Sequence, residues 1–208
     1  KERNCPLDFF SWHSYDGIEN NIVYANYARK RLDEYGFLDT ETTCNEWLIS
    51  PSREMRGTYK HASLIAGMML AWQNTALDSA MIYDARLGPS VYGPLFNCIT
   101  NEPYPAYYSF IAFNKLYSLQ NQVEVQLNEK GVYALGAKKG KIGCLVVANP
   151  TDKDMKLEIN KQIVETVYKN YEKTNALDYK KYFPRTANKM KIIKLMLNTL
   201  IDFYNSFK

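Results

Sequence analysis

The chain has 208 residues, enough for one or two domains with a real apolar core, and its composition is that of an ordinary globular protein. No run of about 18 apolar residues marks a membrane span, and no charged-then-apolar leader opens the chain. The net charge of +4 hides an asymmetry: residues 1–160 hold 16 basic and 18 acidic side chains, whereas residues 161–208 hold 10 and 4, so the positive excess belongs to the C-terminal segment.

Lys1 to Asp8 reads as a loop, and with Lys rather than Met at position 1 the chain reads as cut at its N-terminus. Phe9 to Trp12 is a short apolar run suited to a buried strand. Apolar residues at 18, 22, 25, 28 and 32 predict a helix over 18–35, stopped by Gly36. Thr40 to Trp47 is threonine-rich and ends in a strand-like stretch. Pro51 and Ser52 then start a second helix, from Arg53 to about Gln73, with Tyr59, Ala62, Ala66 and Met69 on one face. Ala80 to Tyr83 reads as a buried strand, Gly88, Pro89, Gly93 and Pro94 mark a long loop, and Pro105 opens a third helix reaching about Leu119. Alternating strands and helices of this kind predict a parallel α/β arrangement over residues 1–120.

The pattern changes after Leu119. Val123–Leu127, Val132–Lys138 and Ile142–Ala148 are strand candidates punctuated by Gly131, Gly140 and Asn149-Pro150, predicting a separate β unit over residues 121–160. Residues 161–208 predict basic helices, with an apolar stripe from Ile192 to Ile201. Tyrosines among the lysines of this tail are compatible with nucleic-acid binding, but a solvated amphipathic helix pair explains them better, and no nucleic-acid partner is expected. The four cysteines, at 5, 44, 98 and 144, make no metal-ligand spacing and no disulfide framework. Cys44 and Cys144 read as small core residues. A reducing compartment is the inference, which favours a cytoplasmic location without fixing it.

Three predicted strand ends carry polar or aromatic groups. In parallel α/β barrels the catalytic groups stand at the C-terminal ends of strands. Glu46, between Asn45 and Trp47, is suited to the nucleophile of a retaining glycosidase; taken alone it reads as a solvated charge. His13 and Tyr15, in Phe10-Ser11-Trp12-His13-Ser14-Tyr15, offer hydrogen bonds to sugar hydroxyls, or a tyrosine hydroxyl to the Glu46 carboxylate. Taken alone, His13 reads as a core-capping histidine. Tyr83, Asp84 and Arg86 either line a pocket or pair Asp84 with Arg86 structurally. The 17 tyrosines suit stacking on sugar rings and filling a core alike.

These motifs, in this order, resemble family-39 glycoside hydrolases, which include β-xylosidases. Phe9 to Tyr15 resembles strand six of that family's barrel. Asp39-Thr40-Glu41 with Cys44-Asn45-Glu46-Trp47 resembles strand seven, where the Glu is the nucleophile. Ala80 to Arg86 resembles strand eight, Gly93 to Tyr108 the loop and start of helix eight, and Val123 to Pro150 the first strands of the accompanying β-sandwich. The resemblance spans roughly residues 5–155. It implies a partial (β/α)8 TIM barrel (strands six to eight), then β-sandwich strands and a helical basic tail. It further implies Glu46 as nucleophile, with His13, Tyr15, Asn45, Trp47, Tyr83 and Asp84 binding substrate and Trp47 walling the sugar. Asn101-Glu102-Pro103 spells the family's acid/base triplet, yet it follows Glu46 and falls in the loop before helix eight, so Glu102 is assigned to a turn.

A barrel of eight strands needs about 250 residues, so the chain is expected to lack strand four and its acid/base Glu, to expose a sheet edge, and to be inactive alone. The expected partner is a carbohydrate. No metal or cofactor is needed and no membrane is expected. The alternative is a non-catalytic carbohydrate-binding or interaction module derived from such an enzyme.

Overall fold

A computed structural model describes residues 5–49, 52–87, 90 and 92–156. The tail 161–208 and its stripe, Lys1, Pro51, Gly88 and Pro89 lie outside the described residues. Strands β1 (Phe9–Ser14), β2 (Glu41–Trp47) and β3 (Ser79–Ile82) alternate with helices α1 (Ile18–Glu34) and α2 (Tyr59–Trp72). Helix α3 (Pro105–Leu119) follows, then β4 (Asn121–Val123), β5 (Tyr133–Lys139) and β6 (Ile142–Ala148). The first three strands form a parallel sheet in the order β1-β2-β3. The last three form an antiparallel sheet in the order β4-β5-β6, and Gly140, at φ +59°, turns β5 into β6. The described residues thus form a mixed α/β fold with two small sheets and three helices. They close neither a barrel nor a two-sheet sandwich.

Burial follows from the crossovers. Helix α1 buries Ile18, Ala25, Ala28 and Leu32, close to the predicted stripe, and Gly36 ends the segment in the left-handed region at φ +79°. Helix α2 is apolar nearly all round and buries Ile65, Met68, Met69, Leu70 and Trp72. It is the central element: α1, α3 and the small sheet pack against it, and it shares one apolar cluster with Cys44, Trp47 and Ala80 of the parallel sheet. Leu135, Ala137 and Ala148 of the small sheet belong to the same apolar cluster as Cys44, Trp47 and Trp72. The small sheet therefore shares one core with the parallel sheet and its helices.

Several readings need correction. Phe9 and Phe10 are not buried: β1 is a sheet edge, and they keep 60% and 43% of their surface exposed. Helix α2 starts at Tyr59, six residues later than the Pro51-Ser52 signal implied. Gly57 stands at φ +78° and Thr58 accepts a hydrogen bond from the His61 N–H at 3.2 Å, the geometry of an N-cap, so residues 53–58 form turns. Tyr59, at the helix start, is exposed rather than part of a packing face. The strand expected at Val123–Leu127 is shorter and earlier, because only Asn121–Val123 pairs with β5. Cys144 is half-buried, unlike fully buried Cys44. Cys44, Cys98 and Cys144 are free thiols, and no helix among the described residues is long and apolar enough to cross a membrane.

Candidate functional site

The site is built on a register change at the end of β2. Trp12 of β1 faces Cys44, but the next residue, His13, faces Glu46, so Asn45 is an extra residue on β2. The same excess occurs against β3, where Cys44 faces Ala80 and Trp47 faces Ile82. One inserted residue reverses the in–out phase of a strand. Trp47, rather than Glu46, therefore comes into phase with Cys44: both are buried, at 1% and 0% exposure. The Glu46 side chain keeps 28% of its area exposed, and Asn45 projects into solvent.

At this bulge the ends of the strands meet. The Tyr15 hydroxyl, just beyond β1, donates to Oε1 of Glu46. His13 Nδ1 stands 3.5 Å from the same oxygen. The hydrogen bond to Glu46 is the main cause that pushes the Tyr15 phenol up to about 12, followed by burial and by the charges of Glu46 and Tyr83. A neutral tyrosine that donates to one carboxylate oxygen orients it and leaves the other free to attack. The side chains that pair with the Glu46 carboxylate among the described residues are Tyr15 and His13.

The remaining expected residues divide. Trp47 does not wall a sugar site: it packs edge-on against Trp72 of α2, with ring centroids 5.0 Å apart at 88°. The bulge turned it into the core. Asp84 takes the structural alternative and pairs with Arg86, whose guanidinium pKa it raises; the Ser90 hydroxyl also reaches it at 3.4 Å. Tyr83 lies with its ring centroid 6.3 Å from that of Tyr92, and its hydroxyl accepts from Arg86 Nη2 at 3.4 Å. Glu102 lies in the turn expected for it. Asn97 and Glu102 close that turn through the Asn97 N–H and Glu102 carbonyl at 2.8 Å, and Asn101 stands at φ +60°.

Two supporting residues went unread in the sequence. Asp16 organises the start of α1: its carboxylate accepts from the Gly17 N–H at 2.7 Å, Asn20 Nδ2 at 2.9 Å and the Tyr24 hydroxyl at 2.8 Å. These bonds, led by that from Tyr24, hold its pKa down. An Asp-Gly pair ahead of the helical spacing was the available signal. His61 is wholly buried on α2 and bonds through Nε2 to the Ile49 carbonyl at 2.8 Å, fixing the chain just after Glu46. Burial pushes its pKa down and keeps it neutral. Its spacing from Ile65, Met68 and Trp72 was the signal. No group of three or more acidic, histidine or cysteine residues that could hold a metal is present among the described residues.

The sequence matches no protein-family model and no curated protein. Among solved structures, the fold is similar to that of a glucosidase from Croceicoccus marinus, with a TM-score of 0.59 and 20% sequence identity. The likeness covers 67% of this chain and 31% of that one, so the chain spans about a third of the glucosidase's length. At this identity the likeness is one of fold.

Proposed function

We propose that this chain carries the nucleophile end of a retaining glycoside hydrolase acting on β-linked sugars, of the β-xylosidase type of family 39. The observation that carries the reading is the Tyr15–Glu46 hydrogen bond at the bulged end of a parallel strand, with His13 beside it. The fold likeness to a glucosidase supports it. In this reading Glu46 attacks the anomeric carbon, the glycosidic C–O bond breaks, and a glycosyl ester forms on Glu46. Tyr15 holds the carboxylate, and His13 and Tyr83 meet sugar hydroxyls. A retaining enzyme places its acid/base about 5–5.5 Å from the nucleophile. In this reading the acid/base carboxyl group is not one of the residues that bond to Glu46, which are Tyr15 and His13.

That division suggests a direct test. A dinitrophenyl β-xyloside fluorinated at its second carbon needs no proton donor, because dinitrophenolate is a weakly basic, delocalised anion that departs unprotonated with the bonding pair of the C–O bond. The fluorine also slows hydrolysis of the ester. Mass spectrometry of the treated chain should find one added fluoroxylosyl group on the peptide containing Glu46, and none in Glu46→Gln. A label on another carboxylate, or no label, refutes the proposal. A common aryl xyloside with a poor leaving group should not be turned over by the chain alone.

A further inference from the structure

The turns between β2 and α2 bring two arginines to one aromatic ring. The Arg56 N–H donates to the Arg53 carbonyl at 3.1 Å and the Thr58 N–H to the Met55 carbonyl at 3.1 Å, so the backbone of this segment is fixed by its own bonds. The guanidinium carbons of Arg53 and Arg56 stand 5.6 and 5.7 Å from the centre of the Tyr92 ring, close enough for cation–π contacts. Helix α2 begins just beyond, at Tyr59, and its first turn holds no acidic side chain to meet the positive end of the helix dipole. The charge of Arg56 also reaches His61, where it adds to burial in lowering the imidazole pKa.

The positive charge gathered here lacks acceptors. Arg56 Nε and Nη1 are buried and have no hydrogen-bond partner. A ring face attracts a guanidinium but accepts none of its N–H bonds in full, and a buried charged donor left without an acceptor costs more than such a contact returns. The carboxylates of the surrounding segments are engaged elsewhere. Asp84 gives Oδ2 to Arg86, and Asp152 pairs with Lys60. Glu54 bonds first to its own backbone N–H and to Ser52, with the charge of Arg53 a smaller influence. A planar guanidinium matches the oxygens of a carboxylate or a phosphate, and a neutral ligand would leave the two like charges uncompensated.

We propose that Arg53 and Arg56 form an anion site at the entrance to α2, which takes the phosphate or carboxylate group of a ligand. The anion displaces the half-exposed Tyr92 ring from the Arg56 guanidinium and accepts from its donors, with exposed Arg53 on the outer side. The site does not depend on the role of Glu46. Calorimetric titration of the full chain with inorganic phosphate and, separately, with malonate, at an ionic strength held constant with sodium chloride, tests it. At least one of the two should bind saturably, and which one does so tells a phosphate group from a carboxylate. Arg56→Gln should weaken that binding by about ten-fold or more, and Arg53→Gln, at an exposed position, should weaken it severalfold. The bound anion should also raise the thermal midpoint of the parent chain and leave that of Arg56→Gln unmoved. Should Arg56→Gln fail to fold, Arg56→Lys keeps the charge, loses the planar fork and should weaken binding in the same direction. Absence of saturable binding by both anions, or binding that the arginine variants leave unchanged, overturns the site.

Discussion

Trp47→Ala separates the two roles open to the residue beside the candidate nucleophile. Trp47 is 1% exposed and meets Trp72 edge-on at 5.0 Å. An aromatic side chain of this kind buries roughly 150–250 Å², which at about 25 cal/mol per Å² corresponds to about 4–6 kcal/mol. Measured truncations of buried Phe and Trp to Ala cost about 3–5 kcal/mol. With a urea slope of about 2 kcal/mol per molar, a loss of about 4 kcal/mol lowers the unfolding midpoint by about 2 M. Since single domains are stable by only about 5–15 kcal/mol, Trp47→Phe is the companion variant, retaining a ring against Trp72 and losing less. Urea unfolding followed by circular dichroism reads stability, and the rate of fluoroxyloside labelling reads the site. Both variants should lower the midpoint, with Trp47→Ala the larger effect, and Trp47→Phe should keep most of its labelling rate while folded. An unchanged midpoint with sharply reduced labelling or sugar binding would refute the core assignment and restore Trp47 to the sugar site.

Three further outcomes follow from the same geometry. The Tyr15 phenol, raised from 10.0 to about 12 by its bond to Glu46, stays neutral in the folded chain. Its stabilising contribution is complete below about 10 and is lost as pH rises through about 12. The phenolate difference spectrum between the parent chain and Tyr15→Phe should show a component near that pH, and Glu46→Gln should move it down toward the ordinary value; an unmoved component contradicts the bond. Asp78→Ala should destabilise by roughly 1–3 kcal/mol in urea unfolding, because Asp78 Oδ2 accepts from the buried Thr42 N–H and hydroxyl at 2.8 and 3.0 Å, and full stability in that variant would show that Thr42 finds other partners. Gly57→Ala should cost more than about 1 kcal/mol, because a Cβ would lie 2.8 Å from the Tyr104 ring at φ +78°; an unchanged thermal midpoint would mean that Tyr104 gives way freely.

Local chemistry made much of this protein legible from its residues. The stripe at 18, 25, 28 and 32 placed α1, Gly36 marked its end, Pro105 opened α3, and the run Ile142–Ala148 is a strand as read. Each of these signals lies within one element and reflects helical or strand period, or the backbone freedom of a single residue. Glu46 at a strand end, with Tyr15 and His13 at the neighbouring one, was also visible, because parallel crossovers put successive strand ends side by side. Helix α2 was read too long because Pro51-Ser52 offered a start signal, whereas Gly57 and Thr58 set the actual one.

Tertiary structure decided the rest. The extra residue at Asn45 is a property of β2 relative to both of its neighbours, so no single-strand pattern reveals it, yet it alone sends Trp47 to Trp72 and leaves Glu46 open to Tyr15. The exposure of Phe9 and Phe10 depends on which strand stands at the edge of the sheet. The union of both sheets around α2 depends on packing between segments more than a hundred residues apart, as the Tyr133–Glu19 bond shows. Composition and spacing determine what each segment does alone; register and packing determine which side chains meet, because both are relations between segments.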